Sequence, residues 1–224
     1  LLLPWLPFGA STNYILRVLT TVVLYMILAL GLNIVPGFTG LLDLGYVGFY
    51  GIGAYTSGLL AIHYDLSLWV ILPLAALNGA LWGILLGAPT LRLTGDYFAI
   101  VTFGFSELVV LFLTNEIWLT RGPLGLPGIA PPTVDLPWLG GPVYEFQGEL
   151  PYYYLAIVMV LATVFVMHRI QDSRLGRAWF AIRDDEVAAV SCGINLLVYK
   201  VIAFGTSAAF GALGGSFFAR WVTF

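Results

Sequence analysis

Long apolar blocks, separated by short polar, glycine- or proline-bearing breaks, set the pattern of this 224-residue chain. The blocks lack strict polar alternation, so they read as helices rather than as strands of a membrane barrel. Crossing a hydrocarbon core of about 30 Å takes roughly 20 helical residues. Six blocks of that kind are readable, near residues 15–35, 41–63, 67–90, 96–118, 151–168 and 195–219. The first is expected to end at Pro36-Gly37, a pair that does not easily continue a helix. Pro73 marks a kink in the third, and Pro151 suits the first helical position of the fifth. A loop rich in glycine, proline and tryptophan fills 119–150. The expected fold is all-α, one polytopic transmembrane bundle of about six spans over residues 1–224.

Composition supports this reading. Sixty per cent of residues are apolar and nine per cent are charged, outside the range of soluble globular chains. In lipid the backbone must satisfy its own hydrogen bonds, which helices do within one segment. Cys192 is the only cysteine, which excludes an intrachain disulfide. The chain opens Leu1-Leu2-Leu3-Pro4, with no basic n-region, so it does not read as a signal peptide. It ends at Phe224 just after an apolar block. These ends read as a fragment truncated on both sides, with Leu1 to Leu6 as the tail of an earlier span.

Charge is concentrated in one place. Arg169, Asp172, Arg174, Arg177, Arg183, Asp184, Asp185 and Glu186 all fall within RIQDSRLGRAWFAIRDDE, residues 169–186. Basic residues in short loops tend to stay on the cytoplasmic side. The 119–150 loop has only Arg121, whereas the charged segment has four arginines with Lys200 just beyond. The segment 169–193 is therefore expected inside and the 119–150 loop outside. Arg92 agrees with that orientation and Arg17 dissents.

Several residues are candidates for function. Gly45, Gly48, Gly51, Gly53 and Gly58 in the second block, and Gly79, Gly83 and Gly87 in the third, allow close helix packing. The alternative is that Gly45, Gly48 and Gly51 loosen the helix beside a substrate path. Glu107 stands near the middle of the fourth block, where an ionisable group costs about 2.5–3.5 kcal/mol on insertion scales. It should face protein or a water-filled cavity, as a lining of the path or as an interhelical hydrogen-bond partner. Asp43 and Asp96 open their blocks and are expected at the interface, near helix N-termini. His63 and Asp65 lie at a span end and are expected to be solvated.

Enzyme signatures are missing. Two histidines and one cysteine, far apart, make neither a zinc site nor a Cys/His pair. The only lysine, Lys200, follows Leu197-Val198-Tyr199, so no P-loop is present and any ATP with its magnesium must bind another subunit. Within the charged segment, Arg174, Gly176 and Arg177 read as a basic turn. Asp184 can cap a short following helix, with Asp185 and Glu186 at its positive end and Gly193 as its stop. Ala188 and Ala189 would give that helix a small-residue face for a partner. The alternative is an ordinary positively charged cytoplasmic loop.

Ser173-Arg174-Leu175-Gly176-Arg177-Ala178, then Ala181-Ile182-Arg183-Asp184-Asp185-Glu186 and Ala188-Ala189 through Gly193-Ile194-Asn195, resembles the cytoplasmic loop of branched-chain amino-acid ABC permeases of the LivM type. Gly31-Leu32-Asn33, Gly37-Phe38-Thr39-Gly40 and Gly51-Ile52-Gly53-Ala54-Tyr55 are similar as well. So are Arg92-Leu93-Thr94-Gly95-Asp96-Tyr97, Gly104-Phe105-Ser106-Glu107 and Thr120-Arg121-Gly122-Pro123-Leu124-Gly125-Leu126. The likeness covers about residues 20–220 in the family's order. Val187 departs from it, standing where the related EAA loop has glutamate.

The resemblance implies a type II-like permease subunit of an ABC importer in the bacterial inner membrane. It implies a second permease subunit, two ATPase subunits, a periplasmic binding protein and an amino-acid substrate, with no nucleic acid. Residues about 178–193 would dock on the ATPase. Two alternatives stay open: an ion-coupled secondary transporter using Glu107 as its coupling carboxylate, and an ABC permease for urea- or amide-like solutes.

Overall fold

The computed structural model describes residues 12–90, 96–134, 144–146 and 148–224. Its helices are α1 (Thr12–Leu32), α2 (Tyr46–Tyr64), α3 (Leu68–Thr90), α4 (Asp96–Asn115), α5 (Ile117–Thr120), α6 (Glu149–Gln171), α7 (Arg174–Asp184), α8 (Glu186–Ser191) and α9 (Leu196–Val222). In the loop before α6, β1 (Thr133–Val134) pairs antiparallel with β2 (Tyr144–Glu145). Among the described residues, five segments are long and apolar enough to cross a membrane: Thr12–Thr39, Leu68–Thr90, Tyr97–Asn115, Glu149–Gln171 and Leu196–Val222.

The second expected span, 41–63, is not among these five: its helix α2 has the length, 19 residues, but is diluted by glycine, tyrosine and serine. It packs against α3, α4 and α9, and this enclosure explains how a less apolar helix is tolerated. The centre of the bundle is α9, which contacts α1, α2 and α3 and has the largest share of buried residues among the spans. Close approach comes from small residues. A Cβ at Gly53 would overlap the Ala212 backbone, and one at Gly79 or Gly83 would overlap the methyls of Ala212 or Ala208. The packing reading therefore holds for these glycines.

Four boundaries differ from the sequence expectation. The first span does not stop at Pro36-Gly37; a π-helical turn, Ile34–Thr39, carries it on. Proline lacks the N–H for an ordinary helical bond, and a widened turn accommodates the ring. Gly40, at φ +73°, then ends the helix in the left-handed conformation. Pro151 is the third residue of α6 rather than the first, still inside the turn where no N–H partner is required. Arg174, Gly176 and Arg177 form the first turn of α7, not an isolated basic turn. The cap of α8 is Asp185, whose carboxylate accepts from Val187 and Ala188 N–H at 2.7 and 3.0 Å; Asp184 ends α7 instead. Leu1 to Leu6, Arg92 and the middle of the 119–150 loop lie outside the described residues.

Candidate functional site

The charged segment folds as two helices lashed onto the bundle. Ser173 caps α7, its hydroxyl accepting from Leu175 and Gly176 N–H at 3.1 and 3.3 Å. Gly176 is buried against the end of α6, where a Cβ would overlap the carbonyls of Ile170 and Gln171. Only glycine allows so tight a turn there. Along α7, Ala178, Trp179 and Ile182 are buried while Arg174, Arg177 and Arg183 remain exposed, the spacing of an amphipathic helix. Trp179 is fully buried, stacks near Phe38, and donates its indole N–H to the Tyr199 carbonyl at 2.8 Å.

Three side-chain hydrogen bonds or ion pairs tie this unit to the π-helical turn and α9. Arg183 donates to the Gly37 carbonyl in the π-helical turn at 2.6 Å. The Trp179 bond reaches the first turn of α9. Lys200, itself 6% exposed, pairs through Nζ with Glu186 Oε1 at 2.6 Å, joining the first residue of α8 to α9. A lysine with a buried stem and a paired head keeps its charge satisfied.

The outer face of α8 is open. Val187 is 77% exposed, Val190 53%, and Ala188, Asp184 and Asp185 are exposed too. Ala189 is not part of that face: it is buried against its own chain, so Ala188 and Ala189 do not form one outward surface. Successive helical residues point about 100° apart, and the turn that places Glu186 over Lys200 brings Ala189, three residues on, to the same side. Gly193, at φ +82°, ends the unit as expected of a helix stop.

The span residues singled out by sequence separate into different settings. Gly45 and Gly48 abut α4, where a Cβ would meet Thr102 and Ser106 backbone, whereas Gly51 faces only side-chain ends of Leu113 and Val109. Glu107 is exposed on the outward face of α4 and makes no hydrogen bond or ion pair among the described residues. Phe103, Leu108 and Leu111 flank it, also exposed. Asp43 is buried within the chain, in the connection before α2: one carboxylate oxygen accepts from Gly45 N–H at 2.8 Å and the other has no partner among the described residues, and burial pushes its pKa up to about 6. No group of His, Cys, Asp and Glu that could hold a metal ion occurs among the described residues.

Two connections had no sequence signal. Arg220, buried in the last turn of α9, donates to the carbonyls of Ala130 at 2.7 Å and Leu66 at 2.6 Å, tying three segments at the end of the bundle away from α7 and α8. Trp221 donates to Glu149 at 2.7 Å, fastening α9 to the start of α6.

Similarity to known proteins is specific. The family described as the branched-chain amino acid transport system permease component matches residues 14–223. The chain belongs to this permease family. It is 44% identical over 229 residues to the high-affinity branched-chain amino acid transport system permease protein LivM of Salmonella typhimurium, and 42% to that of Escherichia coli. A probable LivM of Methanocaldococcus jannaschii is 22% identical over 244 residues and is covered over 68% of its length. Each alignment to the two bacterial proteins covers 95% of this chain and 54% of the relative, so the chain spans about half the length of those curated relatives. No solved structure matches it. The permease family is a transport component, which agrees with the lack of enzyme signatures in the sequence.

Proposed function

We propose that this chain is the membrane core of a permease subunit in an ATP-driven ABC importer for branched-chain or related hydrophobic amino acids. It works in the bacterial inner membrane beside a second permease subunit. Two ATPase subunits bind ATP and magnesium on the cytoplasmic side, and a periplasmic binding protein delivers substrate. The observation that carries the reading is the two-sided build of α8. Its inner side is fastened to α9 through Glu186 and Lys200, while Val187 and Val190 stand open to a partner. An apolar exposed face beside charged residues suits a protein contact.

Energy would pass as movement of α7 and α8 as one unit. Such a unit needs contacts that differ between two states, and the bonds to Gly37, Tyr199 and Lys200 are where a shift would reach the spans. The family match and the branched-chain amino acid transport named for its bacterial relatives favour this over an ion-coupled transporter. The test is uptake of labelled leucine by the complete transporter in proteoliposomes. Uptake is expected only with ATP inside the compartment facing the ATPase. Leucine uptake driven by a proton gradient without ATP would overturn the proposal.

A further inference from the structure

At the end of the bundle opposite α7 and α8, a half-enclosed cavity of about 230 Å³ lies between α2, the turn of α9 near Phe218 and the loop that follows the 3₁₀ turn at Gly122–Leu124. Tyr50, Gly51, Ala54 and Gly58 form its α2 wall, and Leu126 and Ile129 close it from the loop. Gly51, Ala54 and Gly58 sit three and four residues apart and so share one face of α2. The cavity exists because this face is small. The loop side chains come down onto it: a Cβ at Gly58 would lie 3.3 Å from both Leu126 and Ile129. The Tyr50 ring packs against Phe218 at 5.6 Å between centroids, which fixes the opposite side. The loop itself is held in place, since Arg220 grips the Ala130 carbonyl next to Ile129.

We propose that this cavity binds the hydrocarbon side chain of the transported amino acid, a site that rests on the import function proposed above. The lining contains no charged side chain, and its side-chain polar atoms are tyrosine hydroxyls. A zwitterionic ammonium and carboxylate would be stripped of water there without compensation, so the charged end stays outside and only the apolar group enters. Size agrees. An apolar protein cavity of about 150 Å³ accommodates benzene, so this one takes a leucine-, isoleucine- or phenylalanine-sized group. A urea- or amide-like solute, all of it polar, gains nothing from such walls. The site therefore selects the apolar amino acid among the substrate classes left open by the sequence.

The experiment measures competing uptake of alanine, leucine and phenylalanine by the complete transporter in proteoliposomes, with wild type as reference. Ala54→Leu projects new methyls into the cavity and is expected to raise the leucine KM about tenfold while moving the alanine KM less than twofold, since one methylene in an apolar pocket is worth about 10–200-fold. Ile129→Ala widens the cavity and is expected to shift preference from leucine toward phenylalanine by a similar factor. If neither variant changes the alanine:leucine:phenylalanine ratios by more than twofold, the cavity is filled by something else, such as lipid, and the proposal is wrong. A uniform loss of all three in Ala54→Leu, with unchanged ratios in Ile129→Ala, would overturn it equally. Failure of the wild-type transporter to take up any apolar amino acid would instead remove the import function on which the site rests.

Discussion

Individual side chains decide how firmly the charged unit is tied to the spans, and Lys200 is the clearest case. Its ammonium is buried, and its partner Glu186 is half-exposed at the start of α8. Removing the carboxylate strands a buried cation, whereas removing the lysine charge frees a carboxylate that water can reach. Glu186→Gln should therefore destabilise more than Lys200→Met, by about 1–3 kcal/mol, the usual loss when a charged group loses its hydrogen bond. Thermal unfolding of the purified transporter in detergent checks the order, and a double-mutant cycle should show clear non-additivity. Additive effects within about 0.5 kcal/mol would mean the pair does not couple α8 to α9. None of this was legible in the sequence. Lys200 reads there as one more positive charge near the inner face, because its partner is set by a tertiary contact. Arg220 was equally silent, since the carbonyls it holds lie 90 and 154 residues away. Glu107 was legible as a mid-span carboxylate, but not that its own chain leaves it uncovered.

At the level of elements, apolar block length located the five helices apolar enough to cross a membrane, because the bilayer imposes that length whatever the packing, while the second block folds as the more polar helix α2. Breaks within blocks were harder to read. A proline is a stop in an isolated helix, yet the first span absorbs Pro36 by widening to a π-helical turn that Arg183 then contacts. Likewise a run of three acids offers several caps, and backbone geometry selected Asp185 over Asp184. The small-residue surface of α8 was misassigned for the same reason: periodicity gives faces but not which face meets the bundle. The consequence for mutagenesis is direct. Ala189→Trp would disturb the chain's own packing, since overfilling a buried site costs about 1–3 kcal/mol. Ala188→Trp and Val187→Asp alter only the open side. Both should leave the permease inserted and folded, and weaken ATPase association or binding-protein-stimulated hydrolysis several-fold. Arg177→Ala, an exposed charge on α7, should have the smaller effect, because surface ion pairs are worth at most about 1 kcal/mol. Wild-type association and stimulated hydrolysis in both α8 variants would remove α8 from the ATPase interface.

For the whole molecule, two ends of one helix carry two different tasks. Near its start α9 accepts from Trp179 at the Tyr199 carbonyl and donates from Lys200 to Glu186, and its last turn holds the loop over the apolar cavity through Arg220. A displacement of α9 along its axis would thus act on the charged unit and on the cavity together, an arrangement that suits coupling if the two ends face opposite sides of the membrane. The orientation proposed from loop charge places Cys192 in the cytoplasm and Leu124 outside. Cys192 is the single cysteine and is exposed, so the unmodified chain has its own probe. Leu124, 79% exposed in the opposite loop, supplies the second when changed to cysteine in a Cys192→Ser background. In intact cells an impermeant maleimide should label Leu124→Cys and spare the native Cys192, which becomes reactive only after the membrane is opened. Cys192 protected by the docked ATPase is separated from Cys192 protected by the bilayer by repeating the opened-membrane labelling with the ATPase subunits stripped away. Labelling of Cys192 from outside, with Leu124→Cys protected, would invert the molecule. The charged unit would then face the wrong compartment for an ATPase, and the coupling function assigned to α7 and α8 could not stand.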